Sequence, residues 1–424
     1  MSATVLVVGT CDTKLQELLY VRECIQRGGC KEVMMLDVGR DNVEHEAITT
    51  SQAQLIKDYG KGKTPADLPR GEVIKLMADC ASQAVKELHE AGKISAIISA
   101  GGSGGTSLAA QVMRDVLPIG FPKMIVSTVA SGDTGPIVGE TDISMVYSVV
   151  DVAGLNQVLR DILSNAGAAI AGMAKAYASR QQNQSSSSSS SSSSSFKPKR
   201  IGITMFGVTT PGVDAIRAHL ESHYPIEVFV FHATGHGGKA MERLVREGLL
   251  DGVLDLTTTE LCDLMTGGVM SAGPDRLEAA AKAGIPCIVS VGATDMSNFG
   301  PRHSVPEKYA RNGSQRRLYE HNPVVTLMRS SEDECRRVGE HIVRKLKEAR
   351  EPSAVQVWLP LGGVSMLSTP GAEFEDRKAD EVLFGTIREG LRGSGVKIVE
   401  DQRDVNDAGF AKDIAEALAK MMGL

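Results

Sequence analysis

The stretch Ser99-Ala100-Gly101-Gly102-Ser103-Gly104-Gly105-Thr106 indicates the fold class of the chain. It follows an apolar run, Ile94 to Ile98, that predicts a buried strand, and it precedes a helical pattern from Ser107 to Met113. Four glycines between a strand and a helix leave backbone N–H groups exposed at the positive helix end, where phosphate binds readily. The loop is neither a Walker A motif nor a G-x-G-x-x-G fingerprint. A phosphate loop and a turn that needs glycine for sterics alone both remain open.

The rest of the chain repeats this alternation of strand and helix. The predicted strands are continuously apolar, which indicates parallel sheets covered by helices on both faces. They are Val5–Val8, Val33–Leu36, Ala96–Ser99, Met124–Thr128, Ile201–Met205, Glu227–Phe231, Gly252–Leu256, Cys287–Val291, Ala354–Leu359 and Val396–Val399. We therefore predict an α/β fold with two Rossmann-like subdomains, each a doubly wound parallel sheet.

A serine tract separates the two halves. Residues Gln181 to Ser195 are a Gln/Asn patch followed by eleven serines, which cannot bury a core. The sequence therefore predicts a first subdomain at 1–180, a flexible Ser-rich linker at 181–198, and a second subdomain at 199–424.

Composition excludes several classes of protein. The chain has 424 residues and a formal net charge of −6, and its Lys and Arg are scattered, which argues against nucleic-acid binding. Its seven cysteines form no C-x-x-C pair, as is typical of a reducing compartment without disulfides or a zinc cage. Because neither a signal peptide nor an apolar run of membrane-spanning length is present, we expect a cytoplasmic protein with no membrane partner.

Candidate ligand-binding residues follow the predicted strands of the first half. In doubly wound sheets, ligands bind beyond the carboxyl ends of the strands. Those ends carry Gly9–Lys14, Asp37, the glycine loop and Ser127–Thr134. Their hydroxyls, backbone amides and single cation favour a polyanion such as a nucleotide, with Asp37 at a ribose hydroxyl.

Each of these candidates also has a structural interpretation. Asp12 and Thr13 can simply cap the following helix, and Lys14 can be a solvated helix residue. Asp37 can merely end a strand. Cys11 is better explained as a buried thiol than as a nucleophile, because no histidine lies near it in the sequence.

The second half offers a candidate acid–base group. His232 follows a predicted strand, and Asp255 and Glu260 lie at the end of the next one, so His232 could act as general acid or base beside either carboxylate. A hydrogen-bonded structural histidine is the alternative. A metal site from His232, His236, Asp255 or Asp295 is conceivable, but the Thr-Gly between the two histidines indicates a loop and not the helix that would present both rings on one face. Arg276 and Glu278 are interpreted as surface or interface charges.

Motifs along most of the chain resemble the Tm-1-like ATP-binding family. They are Gly9–Lys14, Gly101–Thr106, Asp142–Asn156, Phe231–Glu242, Leu254–Glu260 and Ala272–Glu278, and they stand in the family's order. The resemblance extends over essentially the whole chain except the serine tract. It implies two Rossmann-like subdomains, an ATP site in the first of them, a homodimer, and possible binding of a protein partner.

The resemblance also implies individual contacts. Thr10, Cys11 and Asp12 would contact the nucleotide, Gly102, Ser103, Gly104, Gly105 and Thr106 would contact the phosphates, and Arg70 would add a cation. Small residues are usual at the position of Cys11, so a cysteine there implies possible thiol sensitivity.

Together these observations predict a cytosolic ATP-binding protein that uses Mg²⁺. Lys14 and Arg70 would face the γ-phosphate, and Asp12 or Asp133 would hold the metal. The alternative is an ATP-dependent phosphoryl-transfer or hydrolytic enzyme that acts on a small acid or sugar derivative in the cleft between the subdomains. The sequence does not decide whether the protein is an enzyme or an interaction module that ATP stiffens. A nicotinamide dehydrogenase is disfavoured, because no G-x-G-x-x-G follows the first strand.

Overall fold

The structure is a computed structural model that describes residues 3–66, 68–190, 197–310 and 316–424, with the backbone alone for 184–190. Its internal contacts divide the chain into two compact units, Met1–Ser194 (unit 1) and Ser195–Leu424 (unit 2).

Unit 1 is built on a five-stranded parallel sheet. Its strands are β1 (Thr4–Gly9), β2 (Glu32–Asp37), β3 (Ala96–Gly101), β4 (Lys123–Ser127) and β5 (Ser144–Tyr147). Its helices are α1 (Cys11–Arg27), α2 (Gln52–Tyr59), α3 (Arg70–Glu90), α4 (Ser103–Val116), α5 (Gly135–Val138) and α6 (Gln157–Ser190). The strands are ordered β2-β1-β3-β4-β5, and all neighbours are parallel.

Helices cover both faces of this sheet. Ile97 of β3 packs in a core cluster with residues of α3 and α4, whereas the next residue, Ile98, packs in a second cluster with residues of α1 and α6. Successive strand residues point to opposite faces, so a strand covered on both sides must be apolar throughout. This is why the apolar runs predicted the central strands correctly.

Unit 2 repeats the same arrangement with additions. Its strands are β6 (Lys199–Met205), β7 (Ile226–His232), β8 (Gly252–Thr257), β9 (Cys287–Gly292), β10 (Met296–Phe299), β11 (Leu318–Asn322), β12 (Val325–Arg329), β13 (Val355–Pro360) and β14 (Lys397–Asp401). Its helices are α7 (Thr210–His223), α8 (His236–Arg246), α9 (Glu260–Thr266), α10 (Ala279–Ala283), α11 (Glu307–Ala310), α12 (Glu332–Leu346), α13 (Arg377–Gly390) and α14 (Ala408–Met421). The main sheet is parallel, in the order β14-β13-β9-β8-β6-β7.

The two main sheets therefore share one topology. Numbered within its own unit, each sheet runs 2-1-3-4-5, and β14 adds a sixth strand in unit 2. This is the flavodoxin-like variant of the doubly wound sheet. The predicted fold, two Rossmann-like parallel-sheet subdomains, is confirmed.

Four strands were not predicted from the sequence. Strand β5 is a short edge strand whose residues are only partly buried, so it lacks an apolar run. Strands β10, β11 and β12 form a separate antiparallel sheet in the order β10-β12-β11. Strand β10 is fully buried although Ser297 and Asn298 occupy its centre, and such a polar sequence gives no strand signal.

The serine tract differs in part from the prediction of a flexible linker. Helix α6 continues through Ser190, so residues 181–190 are helical. Extending an existing helix costs far less than nucleating one, which allows weak helix formers to continue it. Residues 191–196 of the predicted linker lie outside the described residues, and the exact domain boundaries stay a prediction.

In the described ranges, no helix combines the length and the apolar character needed to cross a bilayer. All seven cysteines are buried free thiols.

Candidate functional site

A cavity of about 870 Å³ lies at the carboxyl edge of the unit 1 sheet. The strand order reverses between β1 and β3, and ligands of doubly wound folds bind at this topological switch point. The cavity is lined by Thr10, Asp12, Thr13, Lys14, Val38, Arg40, Asp41, Arg70, Val73, Ile74, Gly101, Gly102, Ser103, Gly104, Gly105, Leu108, Thr128, Val149, Val150 and Asp151. Its volume falls in the range of small-molecule and cofactor sites.

The glycine loop presents free backbone donors to this cavity. Gly102 is the N-cap of α4 and supplies no side-chain cap, and the first intrahelical bond runs from the Thr106 N–H to the Gly102 carbonyl (2.9 Å). The amides of Ser103, Gly104 and Gly105 have no hydrogen-bond partner among the described residues. Three N–H groups at the positive end of a helix form a site for an anion.

The glycines also keep the wall of the cavity open. A Cβ atom added to Gly105 would meet no atom within 4 Å, so the space in front of this residue is empty. A Cβ on Gly104 would lie 3.3 Å from Cδ1 of Ile74 and 3.6 Å from Nη2 of Arg70. The absence of side chains therefore allows a ligand to approach the backbone.

Two predicted cations, Lys14 and Arg70, line the cavity. Neither side chain makes an ion pair or hydrogen bond within the described part of the chain. Lys14 has a non-helical backbone (φ −134°) that interrupts the first turns of α1, and Arg70 is the first residue of α3. Both are available to an anion bound at the glycine loop.

A third cation, Arg40, was not predicted. Its guanidinium donates to the carbonyl of Leu68 (2.9 Å) and more weakly to that of Pro65 (3.4 Å). These bonds attach the loop after β2 to the segment that leads into α3. Arg40 therefore shapes the cavity wall, and fewer of its N–H groups are free to bind a ligand.

Asp12 holds the loop after β2. Its Oδ2 accepts the backbone N–H groups of Arg40 (2.9 Å) and Asp41 (3.3 Å). Its Oδ1 is buried without a hydrogen-bond partner, and a Cβ on Gly39 would lie only 2.6 Å from it. The carboxylate thus lines the cavity, with Oδ2 bound to the protein and Oδ1 without a partner among the described residues.

The predicted metal ligands are not brought together. Asp133 is exposed, lies outside the cavity lining and accepts the N–H of Gly135 (3.0 Å). The described residues contain no group of three or more His, Cys, Asp or Glu placed to hold a metal ion. A Mg²⁺ ion held by one carboxylate together with nucleotide phosphates needs no such group, and it stays a prediction.

Three predicted nucleotide contacts lie beneath the cavity instead of lining it. Asp37 is fully buried, and its Oδ1 accepts the N–H groups of Cys11 (3.0 Å) and Gly39 (2.9 Å); burial raises the pKa of this carboxyl. Burial also raises the pKa of the Cys11 thiol, so the structure does not favour the suggested thiol sensitivity. The Thr106 hydroxyl pairs with that of Ser127 (2.6 Å). All three residues position the loops around the cavity.

The sequence analysis missed most of the apolar cavity wall. Val38 follows β2 directly, so the rule that selected Thr10 could have found it. Val73 and Ile74 reach the cavity from α3. Helix α3 precedes β3, and nothing in its sequence marks which of its turns lies beside a ligand.

In unit 2, the predicted carboxylates surround a buried arginine. Arg276 is 1% exposed; its Nη2 donates to Asp255 Oδ1 (2.7 Å) and its Nε to Glu260 Oε2 (2.7 Å). Asp255 also accepts the Thr204 hydroxyl (2.8 Å), and Glu260 accepts the N–H of Gly235 (2.7 Å). The interpretation of Arg276 as a surface charge was wrong, because these carboxylates converge on it from separate segments.

His232 does not join this cluster. It is exposed on the edge strand β7, and its ring stacks on Phe206 with a centroid separation of 5.6 Å. Strand β6 separates β7 from β8, which carries Asp255. The described contacts do not assemble His232, Asp255 and Glu260 into an acid–base group, and their catalytic role stays a prediction that this geometry does not favour.

The fold and the cavity define a two-unit α/β protein whose first doubly wound sheet carries an open switch-point site. The chain belongs to the UPF0261 family. The N-terminal domain of the Uncharacterised protein family (UPF0261) matches residues 3–179, and the C-terminal domain of that family matches residues 198–422.

Relatives in bacteria and plants confirm this membership. The chain is 43% identical over 429 residues to a UPF0261 protein of Clostridium tetani, with 100% of both chains covered. It is 38% identical to the ToMV resistance protein Tm-1(GCR237) of Solanum lycopersicum, covering 99% of this chain but 56% of the tomato protein. Among solved structures, the glycosyltransferase SnogD from Streptomyces nogalater covers the whole chain at 11% identity with a TM-score of 0.23, too low to inform on function. The expected relationship to Tm-1 is thus confirmed at the level of the family.

Proposed function

We propose that this protein binds ATP in the cavity of unit 1, with the phosphates at the N-terminus of α4. The observation that carries the proposal is the set of uncapped amides at Ser103, Gly104 and Gly105, three residues that line the cavity. Backbone donors at a helix N-terminus bind phosphate through direct hydrogen bonds and through the helix dipole.

The surroundings of the glycine loop suit the rest of a nucleotide. Lys14 and Arg70 supply positive charge to a triphosphate. Val73, Ile74 and Leu108 give the cavity an apolar wall against which a base can pack. The resemblance to the Tm-1-like ATP-binding family selects ATP among the nucleotides.

We propose that Mg²⁺ accompanies ATP instead of occupying a site of its own on the protein. Mg²⁺ commonly keeps several waters and binds chiefly to substrate phosphates, so one nearby carboxylate is sufficient. A cytoplasmic location is part of the proposal, since seven buried thiols suit a reducing compartment. The homodimer and the protein partner stay predictions from the family resemblance.

Isothermal titration calorimetry with ATP, with and without Mg²⁺, tests this proposal. Gly105→Val places a side chain in the empty space before the amides, so we expect at least a tenfold loss of ATP affinity. The matched control is Gly172→Val in α6, where an added Cβ also meets nothing within 4 Å but lies outside the cavity. Both substitutions insert the same residue into a helix, so circular dichroism should show similar folding.

The ATP affinities of the wild-type protein and the two variants decide for or against the proposal. Weakened binding in Gly105→Val alone supports the proposal. Absence of ATP binding by the wild-type protein would contradict it, and so would equal affinity in the two variants. Phosphate release measured on the same samples shows whether bound ATP is hydrolysed.

A further inference from the structure

Val149 has an unusual backbone conformation at the rim of the cavity. Its φ is 63°, in the left-handed region that β-branched residues strongly avoid. The N–H of Val150 donates to the carbonyl of Ser148 (2.6 Å), so Val149 is the central residue of a three-residue turn. A turn of this kind with positive φ is rare and strained.

The neighbouring residues hold this turn in place. Ser148 is fully buried, and its hydroxyl donates to the carbonyl of Val150 (2.6 Å). Its backbone N–H donates to the carbonyl of Ser127 at the end of β4 (3.1 Å). The strained conformation is therefore fixed by contacts on both sides of Val149.

The strain at Val149 is not offset by burial of its side chain in the protein. It is 58% exposed, one of the most exposed large apolar side chains in the described part of the chain, and it lines the cavity. A strained backbone that carries an exposed apolar side chain indicates that this side chain contacts a bound ligand. The adjacent Asp151 carboxylate is exposed and lines the same cavity.

We infer that Val149 is a ligand-contacting residue whose strained turn places its isopropyl group against the apolar part of the bound nucleotide. This inference rests on the proposed function and adds a direction to it: the nucleoside half extends from the glycine loop toward β5. On the β2 side, Asp37 is buried and bound to backbone amides, and Asp41 lines the cavity without a strained residue beside it, so the direction rests on the strained turn at Val149. On the β5 side, Asp151 can accept hydrogen bonds from ribose hydroxyls.

The test compares stability and ATP affinity in the full-length protein. Val149→Gly relieves the strain and removes the contact, so we expect the thermal midpoint to rise by about 2–4 °C while ATP affinity falls about five- to tenfold. Val149→Thr keeps both the shape and the strain but replaces a methyl group by a hydroxyl. It should leave the midpoint unchanged and still weaken ATP binding.

Lys61→Gly is the matched control. Lys61 also has a positive φ (49°) and is exposed, but it does not line this cavity. We expect a raised midpoint and unchanged ATP affinity.

Opposite shifts of stability and affinity in Val149→Gly, with no affinity change in Lys61→Gly, support the inference. If the wild-type protein binds ATP and Val149→Gly binds it equally well, the inference fails while the proposed function stands. If the wild-type protein binds no ATP, both fail.

Discussion

Units 1 and 2 share the strand order 2-1-3-4-5, but the loops at the topological switch point are arranged differently in the two units. In unit 1, the loops after β1 and β3 border an open cavity. In unit 2, the equivalent loops follow β6 and β8, and their side chains bond to each other: the Thr209 and Thr257 hydroxyls lie 2.8 Å apart. The same topology yields an open cavity in one unit and loops that bond to each other in the other.

The difference lies in the loop after the third strand of each sheet. In unit 1 it is Gly-Gly-Ser-Gly-Gly, which has almost no side chains to fill the space. In unit 2 it is Thr258-Thr259-Glu260; the Thr258 hydroxyl donates to the Ser290 carbonyl (3.1 Å), and Glu260 binds Arg276. Topology thus creates a possible site, and the loop residues decide whether it stays open.

The largest expected effect is the loss of stability when the buried Arg276 is removed from its carboxylates in unit 2. Arg276→Met leaves Asp255 and Glu260 as buried charges without a cation, which should destabilise unit 2 by about 3–5 kcal/mol. Urea denaturation followed by circular dichroism measures this loss. Stability close to wild type would show that the network does not support the unit.

Removing a cation from the open site should have a smaller effect. Arg70→Ala should weaken ATP binding about five- to tenfold and flatten its dependence on salt, because the Arg70 side chain lies at the glycine loop with no ion-pair partner in the described ranges. Calorimetry at two ionic strengths measures both changes. Arg180→Ala, on α6 outside the cavity, is the control, and an equal loss in both variants would contradict a specific role for Arg70.

Asp37→Asn tests whether the acid beneath the open site is structural. Burial raises the folded-state pKa of Asp37, so the folded protein holds more protons than the unfolded chain. The contribution of Asp37 to the free energy of unfolding therefore declines as pH rises from the pKa of Asp in the unfolded chain, about 3.9, to the raised pKa in the folded protein. We expect Asn to remove this decline, measured by urea denaturation from pH 4 upwards.

The same variant distinguishes a structural from a ligand-binding carboxylate. Asn can still accept the N–H groups of Cys11 and Gly39, so ATP affinity should stay within about twofold of wild type. A loss of more than fivefold at neutral pH would instead support the sequence prediction of a ribose contact.

The smallest effect is expected at the exposed histidine of unit 2. His232→Ala should leave both ATP affinity and any phosphate release unchanged, because the ring stacks on Phe206 and lies away from the Asp255 cluster. Calorimetry and a phosphate-release assay check this. A collapse of turnover in this variant would restore the enzyme hypothesis and give unit 2 a catalytic role.

The fold was largely predictable because its signals are local. Runs such as Val5–Val8 and Cys287–Val291 must be apolar throughout when helices cover both faces of a parallel sheet. The glycine loop was also readable, since its residues adjoin one another and end a strand. Edge strand β5 and the polar strand β10 gave no such signal, because their place in a sheet depends on distant partners.

The sequence by itself determined the two parallel sheets and the glycine loop, because adjacent residues encode them. Tertiary structure alone decided which charges are free. The side chains of Arg70 and Lys14 have no partner among the described residues, whereas Arg276 is enclosed by carboxylates that are 16 and 21 residues away in the chain. Whether a charged side chain is paired and buried depends on the residues that the fold places next to it, and the neighbouring residues in the sequence do not contain that information.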